Sequence, residues 1–197
     1  MHDAEEHDIG WWEIDGQDVY LTRSDVHVGR ALFHLLNRGV ALFGPEMVPI
    51  GIEPGLLSGD ASVLALDADA MLYLINITRA PVDEKMVVDL TLAMKELENP
   101  SNIDIGGFDR VDSARPQRNF EDVFGKPFPG LQPRMKVIQV TDRNMELEAV
   151  DLLHRIGGLD VYSGAVLETD RGDLLMPLDQ LIPEIVRSPI HHLPSDL

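Results

Sequence analysis

Apolar and polar positions alternate along the chain in a way that marks out short strands separated by a few helices. Asp15-Gly16 sits between two β-prone runs over 11–21 and predicts an N-terminal β-hairpin, because Gly supplies the positive φ that a tight turn needs. Val28, Leu32, Leu35 and Leu36 recur at helical spacing and predict a helix capped by Ser24 and ended by Asn37-Arg38-Gly39. Strands are expected at 47–52, 61–66 and 71–77. The last, centred on LYLINI, is almost continuously apolar, as suits a central strand covered on both faces. Asn76 is the polar exception in that run, and its amide must find hydrogen-bond partners.

Pro81 and Asp83 open a second helix to about 98, with Met86, Val87, Leu90, Met94 and Leu97 as its apolar stripe. Residues 99–133 hold five Pro and four Gly, so they are expected to form a long loop with a short helix at 119–124. A strand at 135–140 leads to a helix at 145–156, stopped by Gly157-Gly158. A strand at 160–167 should then pair with a shorter one near 174–176 across Asp170-Arg171-Gly172, and 178–186 suggests a short helix. The expected fold is therefore α/β, a central mixed β-sheet flanked by helices with an N-terminal β-hairpin. It is divided into a mobile acidic leader (1–10), a single α/β domain (11–187) and a Pro/His tail (188–197).

Composition narrows the function more than the fold. The 197 residues are 44% hydrophobic and 25% charged, ordinary for a globular chain, and no apolar run reaches the roughly 20 residues that span a bilayer. No membrane association is expected. The acidic start is unlike a secretory signal, and the lack of cysteine excludes disulfides and thiolate chemistry, which fits a cytoplasmic protein. The net charge of −18 repels a polyanionic duplex on average. Asp outnumbers Glu and only four basic residues are Lys, a bias that a salt-adapted cytoplasm and a GC-rich genome both produce.

The one locally basic stretch carries Arg110, Arg115, Arg118, Lys126, Arg134 and Lys136. Its acids Asp109, Asp112, Glu121 and Asp122 nearly balance it, and Phe108, Phe120, Phe124 and Phe128 read as anchors of a loop more than as bases' stacking partners. His27 and His34 read as packing residues of the first helix, and the Trp11-Trp12 pair as the closure of a small core. His2, His7, Asp3 and Asp8 read as a solvated leader, and His191-His192 as part of a disordered tail. No Gly-rich phosphate loop, G-x-S-x-G or H-E-x-x-H is present.

Residues 59–79, GDASVLALDADAMLYLINITR, carry a strand, an acidic turn and a second strand. This rhythm resembles the core of the PD-(D/E)XK nuclease superfamily, especially its restriction-like and archaeal-type DNA endonuclease branches. The C-terminal run KVIQVTDRNMELEAVDLLHRIGGLDV resembles that family's βαβ element. The resemblance implies a restriction-endonuclease-like core in which a metal-binding Asp on one strand faces a Glu-x-Lys pair on its neighbour. Laid on that pattern without a gap, the Asp falls on Ser62, the Glu on Asn76 and the Lys on Thr78. The family's supporting Gln and Tyr fall on Asp89 and Ala93.

Metal-assisted phosphodiester hydrolysis needs converging carboxylates and a cation, and these residues supply neither. Glu53, Asp60 and Asp89 are the acids nearest in sequence from which an active site could be rebuilt, while Asp67 and Asp69 are expected to be solvated turn residues. The expectation is a catalytically degenerate domain without metal or cofactor, acting through a protein partner or as a homodimer. The alternatives are a divergent metal-dependent nuclease using Glu53, Asp60 and Asp89, or a nucleic-acid-binding module using the basic stretch.

Overall fold

A computed structural model describes residues 8–14, 16–53, 60–79, 84–96, 115–132, 135–141, 149, 151–152, 155, 159–181, 185–186 and 190–194. The chain opens with strands β1 (Asp8–Ile14) and β2 (Gln17–Arg23), paired antiparallel, and helix α1 (Val28–Asn37). Strands β3 (Met47–Glu53), β4 (Ala61–Asp67) and β5 (Leu72–Thr78) then form an antiparallel meander. After helices α2 (Glu84–Glu96) and α3 (Arg115–Phe124), strand β6 (Met135–Thr141) returns parallel to β5. Strand β7 (Asp160–Gly164) lies parallel to β6, and Ala149, Asp151, Leu152 and Arg155 between them are helical.

From β7 the chain changes sheets. Strands β8 (Leu167–Thr169) and β9 (Leu174–Met176) join β1 and β2, while β10 (Leu178–Leu181) and β11 (Ile185–Val186) return to the first sheet. Strand β12 (His191–Leu193) pairs with β9. The result is a mixed seven-stranded sheet in the order β11-β10-β7-β6-β5-β4-β3, and a five-stranded one in the order β1-β2-β8-β9-β12.

Period-two alternation builds two cores on the two faces of the larger sheet. Val63, Ala65, Ile75, Ile77, Ile138 and Val140 meet the apolar stripe of α1. Leu64, Leu66, Leu72, Leu74 and Val137 instead meet Met86, Val87 and Leu90 of α2 and Phe120 of α3. All seven residues of β5 are buried, as its apolar run predicts. The smaller sheet packs on the α1 side, where Leu174, Met176 and Leu193 enter the same core.

Several expectations are corrected. His27, not Ser24, caps α1: its Nδ1 accepts from the Gly29 amide at 3.0 Å, while Ser24 Oγ accepts only from Val26 inside the preceding turn. The first turn of α1 lies close to the sheet, for a Cβ on Gly29 would stand 3.2 Å from both Ile52 Cδ1 and Ile77 Cδ1. His27→Ala should therefore cost about 1 kcal/mol by urea denaturation, the usual worth of an N-cap, and Ser24→Ala less.

The continuous strand expected over 160–167 is broken, its two parts belonging to different sheets. The helix expected within 178–186 is instead β10 and β11, held by pairing of Gln180 with Tyr162 and Val186. His191 and His192, expected in a loose tail, are strand residues, and Asp8 to Gly10 of the expected leader belong to β1. The short helix expected at 119–124 runs the full length of α3. Met94's side chain, Ala93's side chain, Leu97, Phe108, Asp3, His2 and His7 lie outside the described residues.

Candidate functional site

Ser62, Asn76 and Gln139 stand side by side on β4, β5 and β6, since Ser62 pairs with Asn76 and Asn76 with Gln139. One step further along the same face, Thr78 pairs with Thr141 and Thr141 with Ser163. Alternation places all of these on the α2 side of the sheet, at the carboxyl ends of the parallel strands β5 and β6. Ser62, Asn76, Thr78, Gln139 and Thr141 are all buried, the most exposed at 1%. A block of polar side chains thus replaces the apolar packing that Leu64, Leu74 and Val137 provide at the other end of the same strands.

Three hydrogen bonds run along the row. Ser62 Oγ donates to Asn76 Oδ1 at 3.4 Å, Asn76 Nδ2 to Gln139 Oε1 at 2.8 Å, and Gln139 Nε2 to the Val140 carbonyl at 2.9 Å. Each neutral bond nets about 1 kcal/mol, but stranding one buried partner costs about 1–3 kcal/mol. The pairing therefore resists slippage of β5 against β6, because a one-residue shift would set both amides against apolar neighbours.

Chemically, the row offers neutral amides and hydroxyls. It has no carboxylate to hold a hard dication and no ammonium to steady developing charge.

Two of the three acids named as possible replacements, Asp60 and Asp89, have described side chains. Asp60 is exposed, and its Oδ2 accepts from the Arg79 amide at the rim of the sheet. Asp89 lies half-buried on α2. The backbone of Glu53 pairs with Ser62, and its side chain lies outside the described atoms. Among the described residues, no group of three His, Asp or Glu side chains is arranged to hold a metal ion.

Gln139 and Thr141 belong to this cluster and escaped the sequence reading. Their signal was the alternation that begins at Ile138, where IQVT sets polar residues at period two inside an apolar strand.

At the opposite end of the sheet, Asp67 is not a solvated turn acid. Its Oδ1 accepts the Asp69 and Met71 amides, both at 2.9 Å, and its Oδ2 accepts the Tyr73 hydroxyl at 3.1 Å. Burial first, then the charge of Asp67, pushes the Tyr73 phenol up to about 12. Burial and then Asp160 push Tyr162 to about the same value.

A phenol raised in the folded state keeps a proton that the unfolded chain has already lost, so its contribution is complete below pH 10 and disappears as pH rises towards 12. Stability should fall across that window, and Tyr73→Phe and Tyr162→Phe should each flatten the fall when unfolding is followed at several alkaline pH values.

In the basic stretch, Arg110, Arg134 and the Arg115 side chain lie outside the described residues. Arg118, Lys126 and Lys136 are exposed. Phe120, Phe124 and Phe128 form a ring cluster facing inward, with centroids 4.9 and 5.2 Å from Phe120, as loop anchors would. The exposed aromatics are elsewhere: Trp11 and Trp12 on β1, the edge of the smaller sheet, are 70% and 44% exposed, against the expectation that they close a core. No helix among the described residues is long and apolar enough to cross a membrane. No family model, curated protein or solved structure matches the chain.

Proposed function

We infer that this chain is a non-catalytic domain with a restriction-endonuclease-like core, and that it acts through protein–protein contacts. The observation that carries the reading is the hydrogen-bonded row Ser62–Asn76–Gln139. The residues aligned with the nuclease Asp and Glu are direct cross-strand partners, as the family's geometry requires, yet they are uncharged, buried and bonded to one another. The order of elements agrees, with a helix before the strand pair and a parallel strand–helix–strand unit after it.

With catalysis gone, binding is the property left to retain, and Trp11 and Trp12 favour a protein partner or a second copy of the chain. Exposed Trp on a sheet edge is unusual for a surface that stays in water, and Trp is prominent among interface residues that contribute about 2 kcal/mol or more.

Two measurements test the reading. Incubation with single- and double-stranded DNA in Mg²⁺ or Mn²⁺ should give no cleavage above a metal-free control, and metal-dependent cleavage lost in an Asp60→Ala or Asp89→Ala variant would replace this reading with a divergent nuclease. Sedimentation and affinity capture should report an assembly that a Trp11→Ala/Trp12→Ala variant weakens about tenfold or more. A monomer that captures nothing but shifts on DNA at low salt would favour the nucleic-acid-binding alternative.

A further inference from the structure

Two of the chain's four lysines meet at one pocket. The pocket, of about 540 Å³, is lined by Lys126, Lys136, Gln132, Asp67, Asp69 and Met71, among others, and lies at the end of the large sheet remote from the Ser62–Asn76 row. That volume is within the range of small-molecule sites.

Its walls are fixed. Ala70, fully buried, adopts φ 58°, a left-handed conformation that costs a non-glycine residue about 1–2 kcal/mol. The Gln132 amide holds the Ala70 carbonyl at 3.1 Å, and Gln132 Nε2 holds the Asp69 carbonyl at 3.0 Å. A strained turn clamped by the opposite wall keeps its shape without a ligand.

The charges on those walls are unevenly spent. Asp67 already accepts three hydrogen bonds, from two amides and the Tyr73 hydroxyl. The lysines are held by rings instead: Lys136 Nζ lies 5.4 Å from the Tyr73 centroid and Lys126 Nζ 5.9 Å from that of Phe120. Neither forms an ion pair among the described residues, although Asp67 and Asp69 line the same pocket. Two positioned ammonium groups therefore remain available to an anion, in a molecule whose net charge of −18 offers few such places.

Asp69, exposed beside them, is an acceptor suited to a hydroxyl group. It also disfavours an extended polyanion, as does the net charge.

We propose that this pocket binds a small hydroxylated phosphomonoester, with Lys126 and Lys136 on the phosphate and Asp69 accepting from a hydroxyl. Lysine is an established phosphate ligand as a point charge, and a dianion between two lysines makes charge-assisted hydrogen bonds to both. The proposal is independent of the vacated site and survives if that reading fails.

Calorimetric titration of the full chain at low ionic strength, with inorganic phosphate, glycerol phosphate and glycerol, tests it. Saturable binding is expected for the first two, tighter for glycerol phosphate, and none for glycerol. Lys126→Met and Lys136→Met should each weaken binding about tenfold, the worth of one charge-assisted hydrogen bond. Lys85→Met on the outer side of α2 should leave it within about twofold, because an exposed charge at a distance is screened. Asp69→Asn should reduce the preference for glycerol phosphate over phosphate. Absence of saturable binding, or equal weakening by Lys85→Met, would overturn the proposal. Both lysines are exposed, so their variants should melt as the parent does, and a melting control separates misfolding from lost binding.

Discussion

Asn76→Asp is expected to destabilise the protein by about 3–5 kcal/mol at neutral pH, the cost of leaving an uncompensated charge in the interior. The substitution changes almost no volume, so packing is not the cause. The Asn76 amide now donates to Gln139 Oε1 at 2.8 Å, and a carboxylate oxygen there would meet another acceptor in a fully buried setting. Rotating the Gln139 amide would relieve that clash but forfeit its bond to the Val140 carbonyl.

Burial raises the folded-state pKa of such a carboxyl well above its unfolded value of about 3.9. The sign follows: the deficit is smallest below that unfolded value, where a protonated carboxyl can donate to Gln139, and it grows as pH rises towards the folded value. Urea denaturation of variant and parent side by side at acidic and neutral pH checks this. A difference that stays constant with pH would mean that position 76 is solvated.

Phe120→Ala should cost about 3–5 kcal/mol, the usual penalty for removing a fully buried aromatic side chain. Phe120 has no solvent exposure, and it packs with Phe124 and Phe128 against the core beneath α3. Helix α3 has ten residues, includes Pro116 and is too short to persist without tertiary contacts. The loss should thus appear locally as well as globally, as faster amide exchange and proteolysis over 117–132. Because Lys126 and Gln132 lie in that segment, phosphate binding should weaken in the same variant, whereas the Asn76–Gln139 row should keep its exchange protection. Phe120→Leu should recover part of both losses.

Strands β3 to β6 of the large sheet were legible because their apolar runs are long and their polar exceptions fall in step. LYLINIT and MKVIQVT both show where the central pair lies, and Asn76 announced that it needed a partner. Three features were not legible, each for a tertiary reason. The run from Asp160 to Thr169 holds Val161, Tyr162, Val166 and Leu167 with no strong turn signal, and its division between two sheets falls just after Gly164, which pairs with Leu178 of β10. A Cβ there would stand 2.9 Å from Leu178 Cδ1, so the glycine was the one local mark of the break. Leu178 and Leu181 are spaced as a helix would space them, yet four residues are too few to separate helix from strand by period. The smaller sheet gathers strands from both ends of the chain, a pairing that no local pattern announces.

For the candidate site, the polar positions Ser62, Asn76 and Thr78 were readable from the sequence, whereas the bond from Asn76 to Gln139 depends on which strand lies beside β5. Asp67 was misread for a related reason: its three donors come from its own turn and from Tyr73, six residues on, and composition alone makes such an acid look solvated.

The side-chain amides of Asn76 and Gln139 offer the most direct test that the row is closed, structural and metal-free. Their NH₂ resonances, followed by nuclear magnetic resonance while Mn²⁺ is titrated in, should exchange slowly with solvent and keep their line widths, because both amides are buried and bonded within the sheet. Selective, saturable broadening of those two signals by Mn²⁺, absent in an Asp60→Ala variant, would place a metal ion beside the row and contradict a non-catalytic reading.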